Sequence, residues 1–430
     1  METTAVIEHW DSSREATASR NRPSTWSDGA SASPKTCHRG CAAGVVACRS
    51  RGTRSTRSSF ALRGFASEAV LFAGRQVRDQ RRKLRMQSRS VLPLTVLAAA
   101  IWAVSALSAL MFGAAHIPAT DAMGYLWAQL SGGTIAVGDV PDYRIVVDSR
   151  LPRVLLATVI GAGLAVVGLV VQAMVRNALA DPYVLGISSG ASVGATSVVL
   201  FGTFGALGIY ALSSAAFLGA FAATALVYLM ARSPVGLVPL RLVLTGTALG
   251  YGFSAMTTVL IFLAPQGDGA RSVMFWLLGS LAGATWASVP LAATVTVAGV
   301  AATALTARRL NALSMGDEVS GALGLNAARL RLTLFVTSAA MTGCYVSICG
   351  AVGFVGLVVP HLARLLVGAD HSRLVVITPV LGAAFLVTAD LVSRTVLPPQ
   401  ELPLGAITAA VGVPAFVLLM RRRGAMIGDR

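Results

Sequence analysis

The sequence predicts an all-α, polytopic membrane protein with about ten transmembrane helices, and three observations carry that prediction. Charged residues make up 13% of the 430 positions and apolar ones 55%, at a mean hydropathy of +0.70, whereas about a quarter of an ordinary soluble domain is charged. Beyond residue 90 the chain divides into apolar runs of about 20 residues, the length that crosses a bilayer core as a helix. Basic clusters stand before the first run, after the sixth and after the last.

The chain begins with a basic stretch. Residues 1–90 hold 17 Lys and Arg against 7 Asp and Glu, and the remaining 340 hold 18 against 12, so most of the net charge of +16 belongs to a tail. Residues 1–85 are rich in Ser, Arg, Thr and Ala without an amphipathic period, and are expected to form a disordered basic N-terminal extension. The stretch "GFASEAVLFAG" is short and interrupted by Glu68, which argues against a cleaved signal peptide. Met86 is the expected true start, leaving residues 86–430 as the membrane domain. Cys37, Cys41 and Cys48 lack a second ligand pair at zinc-finger spacing, so no metal site is expected.

The spans are placed near 91–113, 150–174, 183–203, 206–229, 237–263, 284–307, 330–350, 352–368, 374–393 and 402–420, the eighth being short and broken by Gly and Pro. An even count puts Arg75–Arg89, Arg308 with Arg309, and Arg421–Arg423 on one side, which the positive-inside tendency makes cytoplasmic together with both termini. The first outside loop, Ala114 to Ser149, agrees: it carries Asp121, Asp139, Asp142 and Asp148 against Arg144 alone. In the third span Gly186, Gly190 and Gly194, and in the fifth Gly246 and Gly250, recur every four residues and offer close helix approach. Cys344 and Cys349 in the seventh read as packing residues.

Ionisable groups inside spans are few. Asp390 and Arg394 stand four apart near the outer end of the ninth and can pair on one face; His361 and Arg364 follow Pro360 in the eighth. Arg150 and Arg153 in "SRLPRVLL", with Arg394, lie on the outer side, where arginine should be depleted. Headgroup snorkelling is the bland explanation; the sharper one is that they await carboxylates of an external partner.

The two lysines, Lys35 and Lys83, stand in no GxxxxGK[ST] loop, so this chain encodes no P-loop nucleotide site. Against that absence stands a polar insert, "ARRLNALSMGDEVSGALGLNAARLR" from Ala307 to Arg331, which the topology puts in the cytoplasm. Within it "SMGDEVSGALG" reads as a short helix, with Ser314 as its N-cap, acids in its first turn and Gly324 as its stop. A bare helix connection needs only about 2–8 residues, so the extra length is expected to form a docking surface.

At this point the residues resemble a family. The runs "RLPRVLLATVIGAGLAVVGLVVQAMVRNALADPYVLGISSGASVGA", "LNALSMGDEVSGALGLN", "GAVGFVGLVVPHLARLLVGADHSR", "LGAAFLVTADLVSR" and "ELPLGAITAAVGVPAFVLLMRR" are similar, in order, to the permease subunits of type II ABC importers for iron–siderophore, haem and cobalamin, the FecCD/BtuC family. The resemblance covers about residues 90–423. It implies a transport subunit without catalysis or cofactor of its own, in the cytoplasmic membrane of a bacterium. Its implied partners are a second permease subunit, identical or paralogous, two ATP-binding subunits carrying ATP and Mg, and an extracytoplasmic substrate-binding protein.

By position the resemblance nominates Leu313, Met315, Gly316, Asp317, Glu318, Gly324 and Leu325 for coupling to the ATPase, and Arg150, Arg153 and Arg394 for docking of the binding protein. It nominates Asn177 and Leu179 in "RNALADP" for the cytoplasmic gate. Ala178 stands there in place of the usual proline, which loosens that loop. A second gate segment, usually containing Ser or Thr, reads "LVPLR", with Val238, Pro239 and Leu240 all apolar. Small and weakly polar residues of the third, fifth, eighth and tenth helices are expected to line the pathway, with iron–siderophore as the first choice of cargo. The rival readings are a secondary transporter with Asp390 and His361 as relay groups, and a membrane-embedded enzyme, for which clustered polar residues are missing.

Overall fold

A computed structural model describes residues 91–113, 117–234, 236–264 and 269–427, with side chains to Leu418. The basic extension 1–85, Met86, the three N-terminal cysteines and both lysines lie outside the described residues. The spanning helices are α1 (Val91–Met111), α4 (Leu151–Met174), α5 (Ile187–Phe201), α6 (Ala211–Ala231), α7 (Pro239–Phe262), α9 (Val289–Ser314), α11 (Ala327–Cys349), α12 (Val355–Val367), α13 (His371–Thr395) and α14 (Leu404–Ile427). All ten expected spans are present. Seven are long and apolar enough to cross a membrane unaided, while α5, α12 and the apolar part of α14 are shorter.

The short spans begin or end in irregular backbone, which hydrocarbon tolerates only where protein satisfies its polar groups. Tyr183 does so for the segment before α12: its hydroxyl donates to Val352 O at 2.9 Å and accepts from Val352 N at 3.0 Å. The start of α14 is tied down likewise, with Leu404 N donating to Gly279 O and Gly405 N to Leu278 O.

Helix α4 is apolar all round and buried along almost its whole length, the pattern of a central helix. Small residues let its neighbours touch it. A Cβ on Gly161 would fall 2.4 Å from Gly382 O of α13, and one on Gly168 would fall 2.0 Å from Gly356 O of α12. The glycine stripe of α5 works as expected toward α6, where a Cβ on Gly190 or Gly194 would meet Gly219 O or Ala215 O at 2.6 and 2.1 Å. In α7, Gly246 abuts Val184 O but Gly250 has only ordinary contacts, so that stripe is half used.

Three boundaries differ from the sequence reading. The loop 114–149 is partly folded: α2 (Ala119–Ser131) and α3 (Val140–Arg144) lead into a π-helical turn, Ile145–Arg150. They close over a small cluster of Ile117, Ala122, Tyr125, Val146 and Val147. A further short helix, α8 (Gly269–Leu277), precedes α9. Finally, α9 runs on to Ser314, so Ser314 does not cap the insert helix. Its hydroxyl donates back to Asn311 O at 2.7 Å instead.

Candidate functional site

The insert reduces to residues 315–326, joining α9 to α11 through one short helix, α10 (Asp317–Ala322). Glycines set both its ends. Gly316 enters at φ +124° and Gly324 leaves at φ +75°. The bonds Leu325 N to Ser320 O and Gly324 N to Gly321 O close a Schellman turn. Ser320 anchors the helix from beneath, donating to Ala312 O at 3.0 Å, and Leu313 is fully buried under it.

One side of the insert is held by a buried arginine. Arg331, 2% exposed, donates to Asp317 Oδ1 at 2.7 Å, to Leu237 O at 2.9 Å and more weakly to Met174 O at 3.4 Å. Three elements meet there: α10, the β1–β2 hairpin (Arg232–Ser233 and Gly236–Leu237) before α7, and the end of α4. Arg176 lies 3.9 Å from the same carboxylate. The Arg331 hydrogen bond, helped by both guanidinium charges, holds the Asp317 carboxyl below the usual carboxylate range despite partial burial. The insert's other side faces solvent. Met315, Val319 and Leu323, spaced four apart, are 68%, 38% and 62% exposed, and Glu318 is exposed beside them. Leu325 is half-buried.

The loop after α4 is the expected gate. Arg176 takes a left-handed turn at φ +54°. Asn177 then organises the loop: its N–H donates to Gln172 O, its side-chain oxygen accepts from Leu179 N at 2.9 Å, and its carbonyl accepts from Ala180 N. Asn177 is exposed, and Ala178 and Leu179 are half-buried. Asp181 next caps the turn Pro182–Leu185, accepting from Tyr183 N at 2.9 Å. Burial pushes the Asp181 carboxyl up to about 6, against the pull of backbone N–H groups of Tyr183 and Phe354. The apolar second gate segment opens α7, with Leu240 67% exposed.

A family model, the FecCD transport family, matches residues 100–422. The chain belongs to the FecCD transport family. It is 39% identical over 274 residues to the cobalamin import permease BtuC of Halobacterium salinarum, covering 64% of this chain and 72% of that one. It is 36% identical over 282 residues to the iron(3+)-hydroxamate import permease FhuB of Bacillus subtilis, covering 65% and 72%. A solved structure of an inward-facing, metal-chelate type ABC transporter superposes with a TM-score of 0.66 at 30% identity, over 77% of this chain and 98% of that one. This FecCD chain is therefore a multi-pass permease subunit of an ABC importer, and the gradient-driven reading of Asp390 and His361 falls away.

In this FecCD permease Arg150, Arg153 and Arg394 come together around the end of α1. All are buried, and each is already engaged. Arg153 donates to Asp390 Oδ1 at 2.9 Å and, through both terminal nitrogens, to the Glu401 carboxylate at 2.9 and 3.0 Å. Arg394 pairs with Asp390 at 3.2 Å, the expected four-residue pair, and donates to Ala109 O at 3.0 Å. Arg150 donates to Leu110 O and Met111 O at 2.7 and 2.8 Å. Cations thus cap the carbonyl end of α1 and lace it to α4 and α13. Within the chain, Asp390 and Glu401 neutralise two of the three guanidinium charges.

Sequence reasoning missed Arg331, Arg176 and Glu401. Arg331 carried one signal, being the arginine set furthest into the apolar run that follows the insert, where burial requires a partner. Glu401 carried none, since its partner is 248 positions away.

Proposed function

We propose that this permease imports an iron–siderophore-type chelate, with its insert and both termini on the cytoplasmic side of a bacterial membrane. A second permease subunit completes the pathway, two separate ATP-binding subunits hold ATP and Mg, and an extracytoplasmic binding protein delivers the cargo.

One observation carries the reading. The insert presents large apolar side chains, Met315, Val319 and Leu323, to water, while its back is tied through Asp317 and Arg331 to the gate elements. Exposed apolar surface of this kind is a protein docking face. An ATPase seated there, with Glu318, Gly324 and Leu325 at the rim and Leu313 as support, can push on α10. Because Arg331 shares its donors among Asp317, Leu237 O and Met174 O, the push reaches both the hairpin before α7 and the loop of Asn177 and Leu179. ATP binding then biases a bundle with two arrangements rather than performing chemistry within it.

On the outer side the binding protein's carboxylates meet Arg153 by exchange with Glu401, whose side chain is 40% exposed. Arg150 and Arg394 supply positive potential behind it. The cargo assignment rests on the chelated metals moved by the relatives and on α7, whose uncovered side carries Thr247, Gly252, Ser254 and Thr258 among the larger Leu244, Tyr251 and Val259, a weakly polar wall without a charge to grip a bulky chelate.

Deletion of the gene should abolish radio-iron uptake from a siderophore under iron limitation. The wild-type chain should restore it and a Met315→Glu, Leu323→Glu chain should not, although it reaches the membrane. Undiminished siderophore uptake with loss of cobalamin or haem uptake would replace the cargo, and full rescue by the double variant would overturn the docking face.

A further inference from the structure

Away from the gate, the bundle carries a groove that the importer reading does not use. Three cavities of about 690, 460 and 220 Å³ lie end to end along α6 and α11. The first two share Phe217 and Ala340, and the second and third share Tyr228 and Leu332. The middle one is lined by small residues, Ala220, Ala339 and Gly343, together with Phe221 and Phe335. It is almost wholly apolar and opens sideways, where Phe221 and Val336 are 66% and 54% exposed.

The third cavity differs in chemistry. It lies on the insert's side of the bundle, and Arg232 and Arg329 line it together with Gly236 and Leu237 of the hairpin. Both arginines are exposed, and among the described residues neither has a carboxylate within ion-pair distance. Each stands one helical turn beyond the last apolar residue of the groove, Arg232 after Tyr228 and Arg329 before Leu332.

The dimensions match one occupant. The middle cavity runs from Phe217 to Tyr228, eleven residues apart on α6, which at 1.5 Å per residue is about 17 Å; the first cavity continues beyond it to Tyr210. The middle cavity thus spans about half of a ~30 Å hydrocarbon core, the depth of one acyl chain in one leaflet. A cation pair at headgroup level above an apolar slot one leaflet deep fits a lipid phosphate with its tail attached. A free phosphate has no use for the slot, and a protein partner would leave the two charges unmatched unless it brought acids to that one point.

We infer that this groove is a binding site for an anionic phospholipid, its phosphate between Arg232 and Arg329 and one acyl chain along the groove between α6 and α11. The site shares the hairpin whose Leu237 carbonyl accepts from Arg331, so the lipid braces the wall of the same node that holds the insert. The inference needs only that the chain spans a membrane, and it stands whatever the cargo.

The test is native mass spectrometry of the full-length chain exchanged into an equal mixture of phosphatidylglycerol and phosphatidylcholine. We expect at least a threefold preference for phosphatidylglycerol, with one lipid retained per chain. Arg232→Gln with Arg329→Gln should bring the preference to about one. Ala225→Phe, which fills the groove and leaves both arginines, should lower retention of both lipids. Absence of any preference in the wild type, or a preference that survives the arginine changes, would overturn the site. A preference untouched by Ala225→Phe and competed away by inorganic phosphate would also overturn it, leaving only an anion site. So would a lipid-free wild-type dimer that Ala225→Phe dissociates, since the groove would then hold a second copy.

Discussion

Removing the carboxylate charge at Asp317 should loosen the insert without unfolding the bundle. In Asp317→Asn, Arg331 keeps its bond to Leu237 O at 2.9 Å and the long one to Met174 O at 3.4 Å, but loses its charged partner at 2.7 Å. A hydrogen bond between charged groups contributes roughly 1.5–3 kcal/mol. The Asp317 side chain is 48% exposed, so the low end, about 1.5 kcal/mol, is the appropriate figure. That is about a tenfold rise in the open population of α10, since 1.4 kcal/mol is tenfold. Amide hydrogen exchange reads this directly. Peptides covering residues 315–326 should lose about tenfold in protection, while those of α4 and α13 stay unchanged. Equal protection in wild type and variant would refute the claim that Arg331 and Asp317 pin the insert. Glu318→Lys is the contrasting change: it faces solvent, so exchange of the insert should be unaltered while recovery of the ATPase with the permease falls.

Glu401→Gln should strengthen docking of the binding protein by roughly three- to tenfold at low salt, because the resident competitor for Arg153 is removed, with the gain shrinking as salt rises; weaker docking would mean that Glu401 only holds the fold. Gly382→Ala should lower the Tm of the purified chain through a loss of about 1–3 kcal/mol, because its Cβ would lie 2.3 Å from Gly161 O and 2.6 Å from Ala165 Cβ, whereas Gly252→Ala meets nothing within 4 Å and should be neutral. For Asp181, a carboxyl raised from 3.8 to about 6 contributes stability that is present below the ordinary value and is lost as pH rises through the folded one. Asp181→Asn should therefore gain Tm relative to wild type between pH ~4 and pH ~7.5, and a relative loss over that interval would contradict the burial of this group.

The parts of the fold that were legible in the sequence are those set by local rules. Ten apolar runs became ten helices because bilayer thickness fixes their length, and Gly324 ends α10 because a left-handed stop after a short polar helix favours glycine. Asp390 and Arg394 pair because four residues is one helical turn. What was not legible has a different cause. The fate of Arg153 is decided by Glu401, and that of Arg331 by Leu237 O and Met174 O, contacts between distant segments with no periodic signature. Helices α2 and α8 were overlooked because they are too short to span and sit on the surface of the bundle. Ser314 misled because Ser before acids resembles a cap, yet the preceding helix still had a turn to run.

If a partner ATPase drives this permease through its insert, import needs ATP and no ion gradient. The direct measurement is uptake of the iron chelate by cells whose proton and sodium gradients are collapsed by an uncoupler while cellular ATP is maintained. Uptake by the wild-type chain should continue under those conditions and should fail in the Met315→Glu, Leu323→Glu chain. Uptake that collapses with the gradients while ATP remains would contradict ATP-driven import.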